Sequence, residues 1–159
     1  MSKFVIYIPL EKYLQEWLTH RLGSPVVFPY GSNENAVIRT FIQKTPPDAK
    51  PVLPDEALTP IAIPDSAAKP PEHYNHIGPR GMKALRECIK DLFIRALWAD
   101  LSPLVNTAVG FNKLVSAWCE SNGIGLDRVE TVRQCFYRIR KSYADQGVNL
   151  RINSRKRLP

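Results

Sequence analysis

The chain has 159 residues, 44% hydrophobic and 23% charged, a balance that suits one compact domain or two small ones and excludes disorder throughout. Its net charge of +7 favours a polyanionic partner.

The first element, "KFVIYIP" at residues 3–9, reads as a buried strand: short, continuous, and rich in β-branched and aromatic residues. Only seven apolar or ring residues, Phe4 to Leu10, precede Glu11 and Lys12, and no small-residue cleavage site follows. The segment is therefore not expected to be a signal peptide. No apolar run approaches the ~20 residues of a membrane span, so no membrane association is expected.

Pro9 suits the first position of a helix. That helix is expected to reach about Leu22, with Leu10, Leu14, Trp17 and Leu18 on one face and Gly23 as its stop. "PVVFP", residues 25–29, is a second short strand. Residues 33–44 fit two patterns. Val37, Ile38, Phe41 and Ile42 suit a helix capped by Ser32 or Asn33, whereas Ala36, Ile38, Thr40 and Ile42 alternate as a strand would. The polar cluster at the start favours the helix.

Residues 46–79 hold 9 of the 14 prolines, a density that prevents long helices. Within this stretch "TPIAIPD" still reads as a strand and echoes the other two, since "IYIP", "VVFP" and "IAIP" all end in proline. Three such strands with helices between them suggest a small βαβαβ layer.

At Pro79 the character changes. "PRGMKALRECIKDLFIRALWAD" places Met82, Leu85, Ile89, Leu92, Phe93, Ala96 and Leu97 at helical spacing, with Ile94, Trp98 and Leu101 as a second stripe. Phe111, Leu114, Val115, Trp118 and Cys119 form the apolar face of the next helix, which Gly123 and Gly125 end. Asp127, with Glu130 three residues on, resembles a capping box that opens the last helix. Gly147 would close it. Val148, Leu150 and Ile152 then alternate as a short strand or wing.

The fold class expected is therefore α+β. A small N-terminal sheet with one or two helices occupies residues 1–78, and a helical, helix-turn-helix-like unit with a basic tail occupies residues 79–159. The charge follows the same division. Residues 1–78 carry 7 Lys+Arg against 8 Asp+Glu, and residues 79–159 carry 15 against 7. Solubility does not require such asymmetry, whereas a basic functional face would produce it.

On a helical wheel, Val129, Val132, Cys135, Phe136, Ile139 and Tyr143 gather on one side of the last helix. Arg133, Gln134, Tyr137, Arg138, Arg140 and Lys141 occupy the rest. Arginine reaches guanine edges with two hydrogen bonds, and glutamine does the same for adenine. Arg133, Gln134, Tyr137, Arg138 and Lys141 are therefore expected to read or grip a groove. Arg128, Arg140, Arg151, Arg155, Lys156 and Arg157 are expected to contact phosphates.

The segments "YNHIGPRGMKALRECIKDLFIRALW", "NKLVSAWCESNGI" and "ETVRQCFYRIRK" resemble small, uncharacterised bacterial phage and mobile-element proteins regarded as DNA-binding. The resemblance covers about residues 59–145 and brings no residue roles with it. It implies a mobile-element context.

Chemistry-bearing motifs are otherwise sparse. His73 and His76 lack the further ligands a metal site needs and suit a turn or an interface, and His20 suits the C-terminal carbonyls of the first helix. Cys88, Cys119 and Cys135 form no CxxC pair and fall within helical patterns. They point to a reducing, cytoplasmic setting with free thiols in the core. Trp17, Trp98 and Trp118 suit core packing, while Tyr7, Tyr13, Tyr30 and Tyr74 have no assigned place. No phosphate-binding loop, dinucleotide fingerprint or metalloprotease motif occurs.

The chain is therefore expected to need no cofactor or metal and to act without catalysis. It reads as a double-stranded-DNA-binding protein, a regulator or replication accessory of a bacterial mobile element. The alternative is a protein-interaction or assembly module that works through its N-terminal half, with no nucleic-acid role.

Overall fold

The computed structural model describes residues 4–105 and 109–146. Its elements are β1 (Val5–Pro9), α1 (Lys12–Leu22), α2 (Asn33–Phe41), β2 (Ile42–Lys44), β3 (Leu58–Ala62), β4 (Tyr74–Ile77), α3 (Pro79–Leu101), α4 (Phe111–Ser121) and α5 (Val129–Asp145). Short 3-10 turns lie at Ser102–Leu104 and Leu126–Arg128. The architecture is α+β, with small sheets near the N-terminus and helices after them. Two compact units, Met1–Lys90 and Asp91–Pro159, divide the chain within α3.

In the first unit, β1 and β3 pair antiparallel, with Ile6 opposite Ile61 and Ile8 opposite Thr59. These four residues are buried, whereas Val5, Tyr7 and Pro60 on the other face stay partly exposed. Alternation along a pleated strand produces this division. Tyr13, Leu14, Trp17 and Leu18 turn the inner face of α1 into the same unit's core. Gly23 ends α1 at φ 86°, donating its N–H to the Thr19 carbonyl. That left-handed conformation is one a side chain would resist.

Residues 33–41 are helix and residues 42–44 strand, so each of the two competing patterns holds for part of the segment. Ser32 caps α2 by accepting from the Asn35 N–H at 3.3 Å. The buried Asn35 amide donates to the Phe28 and Pro29 carbonyls, both at 3.1 Å. At the other end, Lys69 Nζ donates to the Arg39 carbonyl at 2.7 Å, placing a cation at the negative end of the helix.

Several expectations need correction. Pro9 is the last residue of β1, not the start of α1, which begins at Lys12. "PVVFP" contributes a single parallel bridge, Val26 to Ile61, rather than a strand. Pro25 and Pro29 bracket it and cannot donate to a ladder. The βαβαβ layer is replaced by two separate antiparallel pairs, β1 with β3 and β2 with β4. The echoed "IxIP" pattern marks extended chain but carries no direction, and the connections through the proline-rich segment bring β3 back antiparallel. β2 and β4, three and four residues long and mostly on the surface, carry too weak an apolar signal to be read from sequence. β4 contains His76, while His73 lies exposed in the turn before it.

Helix α3 buries Gly81, Leu85, Ile89, Phe93, Leu97 and Leu101. A strict four-residue interval drifts by about 40° per step on a 3.6-residue helix, so the buried stripe coils around the axis. Gly81 permits a close approach in the first unit. A Cβ there would lie 2.6 Å from Ile77 Cγ1 and 2.7 Å from Phe41 Cβ.

The second unit is helical in its described residues, and contacts between rings join its helices. Trp98 stacks on Phe136 with centroids 4.9 Å apart, Phe111 lies 4.8 Å from Phe136, and Phe93 meets Trp118 edge-on at 5.7 Å. Trp118 Nε1 donates to Asp100 Oδ2 at 2.9 Å, satisfying the indole's donor. Gly123, at φ 74°, makes the turn between α4 and α5.

Candidate nucleic-acid interface

Helix α5 arises from an amphipathic pattern. Val132, Cys135, Phe136 and Ile139 are buried, while Val129 is only half-buried and Tyr143 is exposed although its ring lies 6.1 Å from that of Trp98. The expected capping box does not form. Asp127 falls in the 3-10 turn Leu126–Arg128, and Arg128 occupies the cap position without a side-chain cap bond. Glu130 therefore sits one position too early to reach back, and its carboxylate turns along the helix instead.

That carboxylate organises the first half of α5. Arg133 donates to it through both Nε, at 2.9 Å, and Nη2. Gln134 Nε2 adds a third bond at 3.1 Å. These hydrogen bonds, Arg133's first, hold the Glu130 carboxyl below the usual glutamate range. The same bond to Glu130 raises Arg133 above its ordinary value. Arg128 pairs in turn with Asp127. The two arginines and the glutamine nearest the start of the helix are thus all tied to carboxylates.

The second half of α5 differs. Among the described residues, no ion pair involves Arg138, Arg140 or Lys141. Arg138 and Lys141 are exposed and Arg140 is half-buried. On a helix of ~3.6 residues per turn, Gln134, Arg138 and Lys141 form one outward stripe. Arg133, Tyr137 and Arg140 form a second, roughly 100° away. In this second stripe both guanidinium carbons approach the Tyr137 ring, Arg133 at 5.7 Å and Arg140 at 5.1 Å from its centroid. Phe111, from the start of α4, lies 5.6 Å from the same ring.

Of the residues expected to contact nucleic acid, α5 brings together Arg133, Gln134, Tyr137, Arg138, Arg140 and Lys141, with Arg128 just before it. Arg151, Arg155, Lys156 and Arg157 lie outside the described residues, as do the expected wing and Gly147. Sequence reasoning missed two participants, Glu130 as the clamp on Arg133 and Phe111 as the neighbour of Tyr137. Glu130 was legible as an i, i+3 partner of Arg133 and an i, i+4 partner of Gln134. Phe111 was not, because its contact is made across two helices.

No match exists to any known family model, curated protein or solved structure. The site therefore stands on its own geometry.

Elsewhere, burial pushes the Cys119 thiol up to about 11, so it stays protonated and weakly nucleophilic near neutral pH. Among the described residues, no three His, Cys, Asp or Glu side chains gather closely enough to hold a metal ion, and no helix is long and apolar enough to cross a membrane. The first unit carries an open cleft of about 730 Å³ beside β1, lined by Tyr7, Lys12, Glu16, Thr19, Pro25 and Pro60 among others. Tyr13 is core, while Tyr30 is 97% exposed.

Proposed function

We propose that the protein is a non-enzymatic DNA-binding protein that grips phosphates through α5. The observation that carries this reading is the row of uncompensated cations Arg138, Arg140 and Lys141 on the second half of that helix. A helix-turn-helix protein reads bases with the start of its second helix. Here Asp127 and Glu130 occupy that end and take up Arg128 and Arg133. The positive surface lies further along the helix. Two phosphate contacts, by the exposed Arg138 and Lys141, imply a salt slope of about −1.8, hence roughly a 12-fold loss of affinity between about 50 and 200 mM salt. A regulator or replication accessory of a mobile element is the role that fits such a binder.

Fluorescence anisotropy with a labelled random-sequence duplex at those two salt concentrations tests the reading. Steeply salt-sensitive binding supports it, and no binding of the duplex or of its separated strands at the lower concentration removes it. One observation favours a protein-interaction role for the first unit instead. Val52 and Leu53 are exposed side by side in residues 50–57, a stretch with no buried residue. A contact through them would survive Val52→Ser/Leu53→Ser only if that reading were wrong.

A further inference from the structure

We infer that α5 binds unpaired nucleotides in preference to duplex DNA, stacking bases on the Arg133–Tyr137–Arg140 stripe while the Arg138–Lys141 stripe holds the phosphates. The inference rests on the DNA-binding reading of α5 and specifies which form of DNA that helix takes.

Three observations lead to it. First, Arg133 is not extended towards a groove. Glu130 holds its guanidinium by two donors, and the same group lies 5.7 Å from the Tyr137 centroid. Reaching a guanine edge would break that pair. Second, Tyr137 keeps 36% of its surface exposed although Phe111 and Phe136 pack around it at 5.6 and 6.2 Å. The ring is supported by two aromatic neighbours and, with the guanidiniums of Arg133 and Arg140 over it, forms a layered planar surface that stays partly open to solvent. Third, Arg140 approaches the same ring at 5.1 Å, so two guanidiniums and one phenol follow one another along the helix.

Planar groups of this kind stack on base faces. In a duplex those faces are covered by neighbouring pairs, so only an unpaired strand offers them. Single-strand binding also requires a positive track for the backbone beside the stacking surface. The stripe of Arg138 and Lys141 supplies one.

The test compares a labelled 20-nucleotide single strand with its duplex, using the full chain at about 50 mM salt. The same strand is also made with 2-aminopurine, whose emission falls when it stacks. Tighter binding of the single strand is expected, with quenching of the 2-aminopurine. Tyr137→Phe should keep both. Tyr137→Leu, which retains apolar packing against Phe111, should lower single-strand affinity about tenfold, remove the quenching and leave duplex affinity unchanged. Equal affinity for the two forms, or an equal loss for both in a folded Tyr137→Leu variant, overturns the stacking and leaves phosphate gripping intact. Absence of binding to either form overturns both.

Discussion

The two units solve the packing problem with different materials. Met1–Lys90 combines short strand pairs with helices, buries mostly aliphatic residues around Trp17, and relies on the close approach at Gly81. Asp91–Pro159 is helical in its described part and joins its helices through rings: Trp98, Phe111 and Tyr137 all meet Phe136. Charge differs as well. Residues 1–90 carry 11 Lys+Arg against 9 Asp+Glu, and residues 91–159 carry 11 against 6. The lesson lies in how charge is used. Most of the second unit's described acidic groups near α5 are occupied in clamping particular arginines, so the positive surface is narrower than the sequence total suggests, and it lies later in the helix.

Substitutions can break or sharpen this contrast. The largest effect is expected from Phe136→Ala, which removes the ring shared by Trp98, Phe111 and Tyr137 and should cost about 3–5 kcal/mol. Amide hydrogen exchange should show protection lost in residues 91–146 and retained in residues 4–90. Equal loss throughout would mean that the two units do not melt separately.

Gly81→Ala is the corresponding test for the first unit. Its new methyl would meet Ile77 and Phe41 below van der Waals distance. Overpacking of about 1–3 kcal/mol should outweigh a helix-propensity gain of about 1 kcal/mol. A lowered melting temperature is expected, and a raised one would show that α3 can move aside.

Arg138→Ala/Lys141→Ala should lower DNA affinity roughly tenfold and reduce the salt slope by about 2, with the fold unchanged by circular dichroism. Glu130→Gln works in the other direction and more weakly. Removing that charge releases Arg133, and affinity should rise about two- to threefold. A fall on Glu130→Gln would show that the clamp positions Arg133 productively.

The last effect is confined to alkali. Burial raises the folded-state pKa of Cys119 from 9.0 to about 11, so the folded state holds its proton more tightly than the unfolded chain does. Its stabilising contribution is complete below pH 9 and is lost as the pH rises through 11. Denaturant melts of Cys119→Ala should show a shallower decline over that window than the parent chain. Parallel declines would assign the slope to other groups.

The sequence by itself determined the α+β class, the helices α1, α3, α4 and α5, a polar cap at Ser32 or Asn33 and most of the buried side of α5. These are local: apolar periodicity, a capping hydroxyl and a stop glycine act over a few residues and need no distant partner. It also determined that positive charge is concentrated in the second half of the chain. Tertiary structure decided the strand pairing, because "IYIP", "VVFP" and "IAIP" are equivalent as extended segments, and only the connections choose their direction and neighbours. It decided, too, which cations of α5 remain uncompensated. An arginine on an outward face looks the same in sequence whether a carboxylate one turn earlier holds it or not. Phe111 reaches Tyr137 only because α4 folds back beside α5, and it is packing between helices that converts an exposed tyrosine into a supported ring.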